Sequence, residues 1–90
     1  MGYRVTEVQP TPNPNAQKFI LDRPITQQPV SYFNAGAVGN DPVGRALFEI
    51  PGVASLLLLG DFITVNKVPA KKWSEIRGKV ESVLAKIGEI

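Results

Sequence analysis

Apolar and polar residues alternate in two segments near the N-terminus, which is the pattern of half-buried β-strands. The first segment, Tyr3–Val8, is rich in β-branched residues, and the second, Gln17–Asp22, places Phe19 and Leu21 on one face. The opposite face of the second segment carries Lys18, Ile20 and Asp22. Between them, Pro10–Asn15 has three prolines and two asparagines, which favour a turn over helix or central strand. The pattern therefore predicts an antiparallel pair joined by an Asn-rich turn.

A second strand pair is predicted in the second half of the chain. Ser55–Leu59 is a continuous apolar run, and Phe62–Lys67 alternates, with Ile63 and Val65 on its predicted core face. Thr64 and Asn66 then face outward. Gly60-Asp61 separates the two segments, and because this order is a weaker turn signal than Asp-Gly, we expect a hairpin loop slightly longer than two residues.

Helical spacing of apolar residues appears twice. Asp41 and Pro42 form a start signal for a helix near Pro42–Ile50, which Pro51 and Gly52 close. Its apolar positions are Val43, Ala46, Leu47 and Ile50. A longer amphipathic helix is predicted near Pro69–Ile87, opened by Pro69 and closed by Gly88. Its apolar stripe comprises Trp73, Ile76, Val80, Val83, Leu84 and Ile87.

These elements predict one α+β domain over residues 1–90, with an antiparallel sheet of about four strands and two main helices packed on one face. Residues 23–40 show little periodicity, apart from a short strand-like piece at Val30–Phe33.

The amino-acid composition excludes several kinds of chemistry. The 90 residues include no Cys and no His, so disulfides, thiol chemistry and imidazole chemistry are excluded. The chain has no apolar run of membrane-spanning length, and Met1–Gln9 lacks the pattern of a signal peptide, so we expect a cytoplasmic protein without a membrane partner. The net charge of +2 is too small to indicate nucleic-acid binding, and we do not expect it.

No catalytic or cofactor motif is present. The serines have no histidine to activate them, no glycine cluster matches a phosphate-binding loop, and no two carboxylates stand at catalytic spacing. Asp41 is better explained as a helix cap and Asp61 as a turn residue. We therefore expect a protein that is not an enzyme and that binds no cofactor or metal.

Three segments together resemble the N-terminal domain of the Nfu/NifU-type iron–sulfur scaffold proteins. They are Thr11–Ala16 followed by Lys18 and Phe19, then Asp41 and Pro42 leading to Leu47–Val53, and then Asp61–Lys67 with Trp73 after it. The resemblance implies an α+β fold and a role near iron–sulfur cluster assembly. In full-length members the cluster lies on a Cys-x-x-Cys motif in a separate C-terminal domain, which this sequence lacks. A stand-alone accessory module that binds no cluster itself is therefore expected, with an iron–sulfur assembly component as its partner.

The first candidate binding segment is the Asn-rich turn. Thr11, Asn13 and Asn15 can hydrogen-bond a partner from a turn stiffened by proline, and Lys18 follows just beyond it. The alternative is that these side chains satisfy their own backbone.

The second candidate is basic. Lys67 ends a predicted strand, and Lys71 and Lys72 fall in the first turn of the predicted last helix, where cations oppose the helix dipole. Lysines around free helix amides favour an acidic peptide or phosphate-like anion, the alternative being a solvated face. Trp73 lies on the apolar stripe and is predicted to pack in the core instead of forming a stacking platform. Two alternative functions remain, namely a general peptide-binding or protein-binding adaptor unrelated to clusters and, as the less expected one, a weak nucleic-acid binder.

Overall fold

The computed structural model describes residues 2–87, which form five strands, two α-helices and one short 3-10 helix. The strands are β1 (Val5–Pro10), β2 (Ala16–Leu21), β3 (Val30–Tyr32), β4 (Val53–Leu59) and β5 (Phe62–Lys67). The helices are the 3-10 helix (Ala35–Val38), α1 (Pro42–Phe48) and α2 (Trp73–Lys86). None of the helices in residues 2–87 has the length and apolar character needed to cross a lipid bilayer.

The strands form one antiparallel sheet in the order β1-β2-β5-β4-β3. The predicted α+β class is confirmed, with one strand more than the expected four. The extra strand is the strand-like piece at Val30–Tyr32, which gains stability by pairing with Leu56–Leu58 on the edge of the predicted hairpin.

The core lies between the sheet and the two helices. Phe19 of β2 and Ile63 of β5 are directly paired and fully buried, and they belong to one cluster with Ile76 and Leu84 of α2 and Leu47 of α1. The predicted inward positions of β2 and β5 are confirmed, because Leu21 and Val65 are buried as well. Within residues 2–87 both α-helices pack on this face of the sheet, and the alternation of strand residues sends a second set of side chains to the opposite face.

The hairpin between β4 and β5 has a two-residue loop, so the longer loop expected from the sequence is wrong. Leu59 pairs with Phe62, and only Gly60 and Asp61 lie between them. Gly60 has a φ of 57°, whereas no non-glycine residue described has a positive φ. A positive φ at the first loop position alone fits a type II′ turn, which favours glycine there and accepts Gly-Asp in this order.

The N-terminal strand begins two residues later than predicted and runs to Pro10, which pairs with Gln17. Tyr3 is diverted from the sheet because its amide donates to the Leu84 carbonyl at 2.7 Å, satisfying an acceptor near the C-terminal end of α2. The first segment thus ties the sheet to the last helix.

Helix α1 starts with an acidic cap, whereas the N-cap residue of α2 is Lys72. The Asp41 carboxylate accepts the Val43 amide at 2.9 Å, which confirms the predicted cap of α1. Helix α2 begins at Trp73, not at Pro69, because residues 68–72 form a turn in which the Lys71 amide donates to the Val68 carbonyl at 3.2 Å. Lys71 and Lys72 therefore precede the helix instead of lying in its first turn. The predicted stop at Gly88 lies outside the described residues.

Candidate functional site

The turn between β1 and β2 is held in shape by its own side chains. The Thr11 hydroxyl oxygen lies 2.9 Å from the Asn13 carbonyl and 3.0 Å from the Ala16 carbonyl, and it accepts the Asn13 amide at 3.1 Å. The Asn13 side-chain oxygen accepts the Asn15 amide at 2.9 Å. These are local bonds of the kind that Thr and Asn form in turns. The segment is therefore a turn whose shape is fixed by its own hydrogen bonds.

Two distant residues fasten this turn to the rest of the fold. Lys67, at the end of β5, donates from Nζ to the Asn15 side-chain oxygen at 2.9 Å, and its amide donates to the Asn15 carbonyl at 2.7 Å. Trp73, the first residue of α2, donates from Nε1 to the Pro14 carbonyl at 3.1 Å. Thr11, Asn13, Asn15, Lys67 and Trp73 thus share one end of the sheet, which we call the end surface.

Trp73 joins the end surface to the core. Its ring centroid lies 6.1 Å from that of Phe19 with the planes at 53°, and the indole packs against the core cluster while remaining half-buried. The Lys67 ammonium lies 5.9 Å from the Trp73 ring centroid, within the range of cation–π attraction. Core packing of Trp73 is as predicted, but the indole N–H contact with the turn is an addition that the sequence did not indicate.

Lys71 and Lys72 lie apart from the Lys67–Asn15 contact. Lys71 packs over Gly52 and lines an open groove of about 660 Å³ between α1 and α2, whereas Lys72 is exposed at the N-cap of α2. The Lys72 amide donates to the Glu75 carboxylate at 2.9 Å. This bond lowers the pKa of Glu75, and the charges of the two lysines and Lys79 lower it further. An anion at this helix start must compete with Glu75, so the predicted anion site remains a prediction.

Lys18 lies on the sheet face opposite the helices. Its ammonium is 4.0 Å from the centroid of the Phe62 ring. In strand register Ile20 pairs with Phe62 and Phe62 pairs with Leu59, so three apolar side chains form a row across β2, β5 and β4. We call this side the open face, and its central residues are Lys18, Ile20, Leu57, Leu59, Phe62 and Thr64.

The apolar members of the open face were missed as candidate functional residues. The signal was present, because the pattern already assigned Ile20 to the outward side of β2. In the same way, five consecutive positions Ser55–Leu59 cannot all point inward along a strand with a two-residue period, so Leu57 and Leu59 had to point outward. Apolar residues at outward positions of a strand indicate a contact surface.

The described residues offer no evident metal centre. The sequence supplies neither thiolate nor imidazole, and within residues 2–87 no three acidic side chains come together as a group that could hold an ion. Asp41 is used as a cap and also accepts the Tyr32 hydroxyl.

An antiparallel five-stranded sheet with two helices on one face defines a small α+β domain. The chain matches the family described as "Scaffold protein Nfu/NifU N terminal" over residues 5–89, and it belongs to that family.

Relatives and solved structures agree with this assignment. The chain is 39% identical over 66 residues to the human mitochondrial NFU1 iron–sulfur cluster scaffold homolog, covering 72% of this chain and 26% of that protein. It is 38% identical over 77 residues to a NifU-like protein of Schizosaccharomyces pombe, covering 82% of this chain and 30% of that protein. The chain thus spans less than a third of these relatives.

Among solved structures, the NifU-like protein of Saccharomyces cerevisiae superposes with a TM-score of 0.79 at 25% identity, covering 94% of this chain and 77% of that chain. Protein SAV1430 of Staphylococcus aureus gives a TM-score of 0.74 at 25% identity, covering 89% of this chain and 96% of that chain.

Proposed function

We propose that this chain is a non-catalytic protein-interaction module that serves iron–sulfur cluster assembly without binding a cluster itself. Family membership supports the connection to cluster assembly, because relatives are named as iron–sulfur cluster scaffold homologs. The observation that carries the proposal is that the sequence contains none of the side chains that usually ligate an iron–sulfur cluster. Protein ligands of iron–sulfur clusters are thiolates, with imidazole as the main substitute, and the sequence has neither.

A module without cluster ligands can contribute by holding other proteins, and two surfaces suit that task. The end surface presents a turn whose shape is fixed before any partner arrives, which lowers the entropy lost on binding. Lys67 is oriented there by the neutral Asn15 oxygen, so its positive charge remains available to an acidic partner segment. The open face adds apolar area towards the opposite end of β5, where Phe62 pairs with Ile20 and Leu59.

The test is a deletion of the gene in the source organism, followed by measurement of the activities of iron–sulfur enzymes. Those activities should fall, and the wild-type chain should restore them although it brings no thiol. Lys67→Glu should restore them less well, because it breaks the contact with Asn15 and reverses the charge of the end surface.

Arg77→Glu is the matched control, since Arg77 is exposed on α2 and the charge change is the same. We expect this variant to restore activity as the wild-type chain does. Iron–sulfur enzyme activities that are unchanged by the deletion would contradict a role in cluster assembly.

A further inference from the structure

The open face carries apolar side chains that the fold does not use. Antiparallel sheets with one face in water usually place polar residues on that face. Here Ile20, Leu57, Leu59 and Phe62 point there, with Leu59 37% exposed and the others half-buried. In the part of the chain that the structure describes, none of the four belongs to the core cluster or to the apolar side chains packed against it.

We propose that the open face docks an amphipathic helix of a partner protein, which carries an Asp or Glu beside its apolar stripe. The proposal rests on the interaction role given above and names the kind of segment that the module holds.

The dimensions of the patch fit a helix. Neighbouring strands lie about 4.8 Å apart, so the row formed by Ile20, Phe62 and Leu59 is about 10 Å wide. An α-helix with its side chains is about 10 to 12 Å across. Leu57 lies two residues from Leu59 along β4, about 6.7 Å, which is close to the rise of one helical turn of about 5.4 Å. The patch therefore accommodates apolar residues that lie about one turn apart on a helical stripe, whereas an added strand would bind at a sheet edge.

The positive charge of Lys18 favours an acidic side chain on the partner helix. The Lys18 ammonium lies over Phe62 within the patch, and no carboxylate among residues 2–87 lies within 4.0 Å of it. Two carboxylates near this face are already engaged, because Glu7 accepts from the Gln9 side chain and Asp22 pairs with Arg23 at 3.6 Å. In a two-fold pairing of open faces, the patch that meets each Lys18 carries the Lys18 of the second copy, so like charges approach one another. A partner with its own carboxylate satisfies the lysine, so a partner helix is favoured over self-association.

Site-specific photo-crosslinking tests which protein segment binds the open face. A photo-reactive phenylalanine analogue replaces Leu57 in the chain expressed in its source cell, and mass spectrometry maps the attached residues. We expect attachment to a helical segment of another protein that contains an Asp or Glu next to its apolar positions. The same probe in place of Glu81, exposed on α2, is the control for random proximity.

Variants at Lys18 test the charge. Lys18→Glu should lower the crosslink yield about fivefold or more, because it turns an attraction into a repulsion, whereas Lys18→Arg should retain the yield. Arg77→Glu controls for net charge, and unchanged urea midpoints verify that the variants fold. Attachment to the chain itself, a yield no higher than that of the Glu81 probe, or indifference to Lys18→Glu would overturn the proposal. Those outcomes leave the gene-deletion result untouched, so the two proposals fail separately.

Discussion

Replacing Trp73 by Ala measures how strongly the last helix and the N-terminal turn are coupled to the core. A fully buried aromatic side chain removes about 150 to 250 Å² from water, and the half-buried Trp73 about 100 to 150 Å² of that. At about 25 cal/mol per Å², this burial is worth about 2.5 to 4 kcal/mol, an upper estimate because the unfolded chain is partly compact. The indole bond to the Pro14 carbonyl adds about 0.5 to 1.5 kcal/mol. We expect Trp73→Ala to lower the free energy of unfolding by about 3 kcal/mol.

Equilibrium unfolding in urea is the assay, with the slope of free energy against urea compared between variants to verify two-state behaviour. Trp73→Phe is the matched control, because it keeps an aromatic ring against Phe19 and loses only the indole N–H and part of the area. It should cost about 1 kcal/mol and shift the amide resonances of residues 11–16. A loss below about 1 kcal/mol for Trp73→Ala would show that the indole is a surface group and would refute this reasoning.

Three further predictions follow from backbone geometry, titration and charge. Gly52→Ala should lower the free energy of unfolding in urea by about 1 to 3 kcal/mol, because φ is 100° and a Cβ would lie 2.6 Å from the Lys71 side chain. Gly78→Ala should raise it by about 0.5 to 1 kcal/mol, because the new Cβ would meet no side chain or other element within 4 Å. Burial and then the neighbouring Asp41 raise the pKa of Tyr32 to about 12. The protonated hydroxyl should therefore stabilise the fold fully below about pH 10, and this stabilisation should be lost as the pH rises towards 12. Urea unfolding across that pH range should show the loss in the wild-type chain and not in Tyr32→Phe. Phosphate should shift amide resonances at the start of α2, weakly and less at high salt, and Lys71→Glu with Lys72→Glu should abolish the shift. Larger shifts in the turn between β1 and β2 would place the anion there instead.

The spacing of apolar residues was enough to predict the strands and helices in which that spacing alone decides which side chains are buried. The alternation in β2 and β5 correctly assigned Phe19 and Ile63 to the core because both strands are half-buried and central. Element ends were less accurate where tertiary contacts decide them. Tyr3 leaves the sheet for a carbonyl of α2, and residues 68–72 form a turn where Pro69 alone suggested a helix start.

The sequence indicated individual residues of the candidate site but not which of them contact one another. Thr11, Asn13 and Asn15 were identified from turn chemistry, but the contact of Asn15 with Lys67 joins residues 52 positions apart, which no local pattern reveals. The separation of Lys71 from Lys67 has the same origin, since the turn before α2 directs Lys71 over Gly52.

Anaerobic reconstitution with iron and sulfide tests most directly whether the module works without holding a cluster. After removal of unbound iron, the purified chain should stay colourless and retain iron well below one atom per molecule, because it offers no thiolate or imidazole ligand. A stable visible absorption band with stoichiometric iron and sulfide would contradict the proposed function, because the chain would then hold a cluster through oxygen ligands.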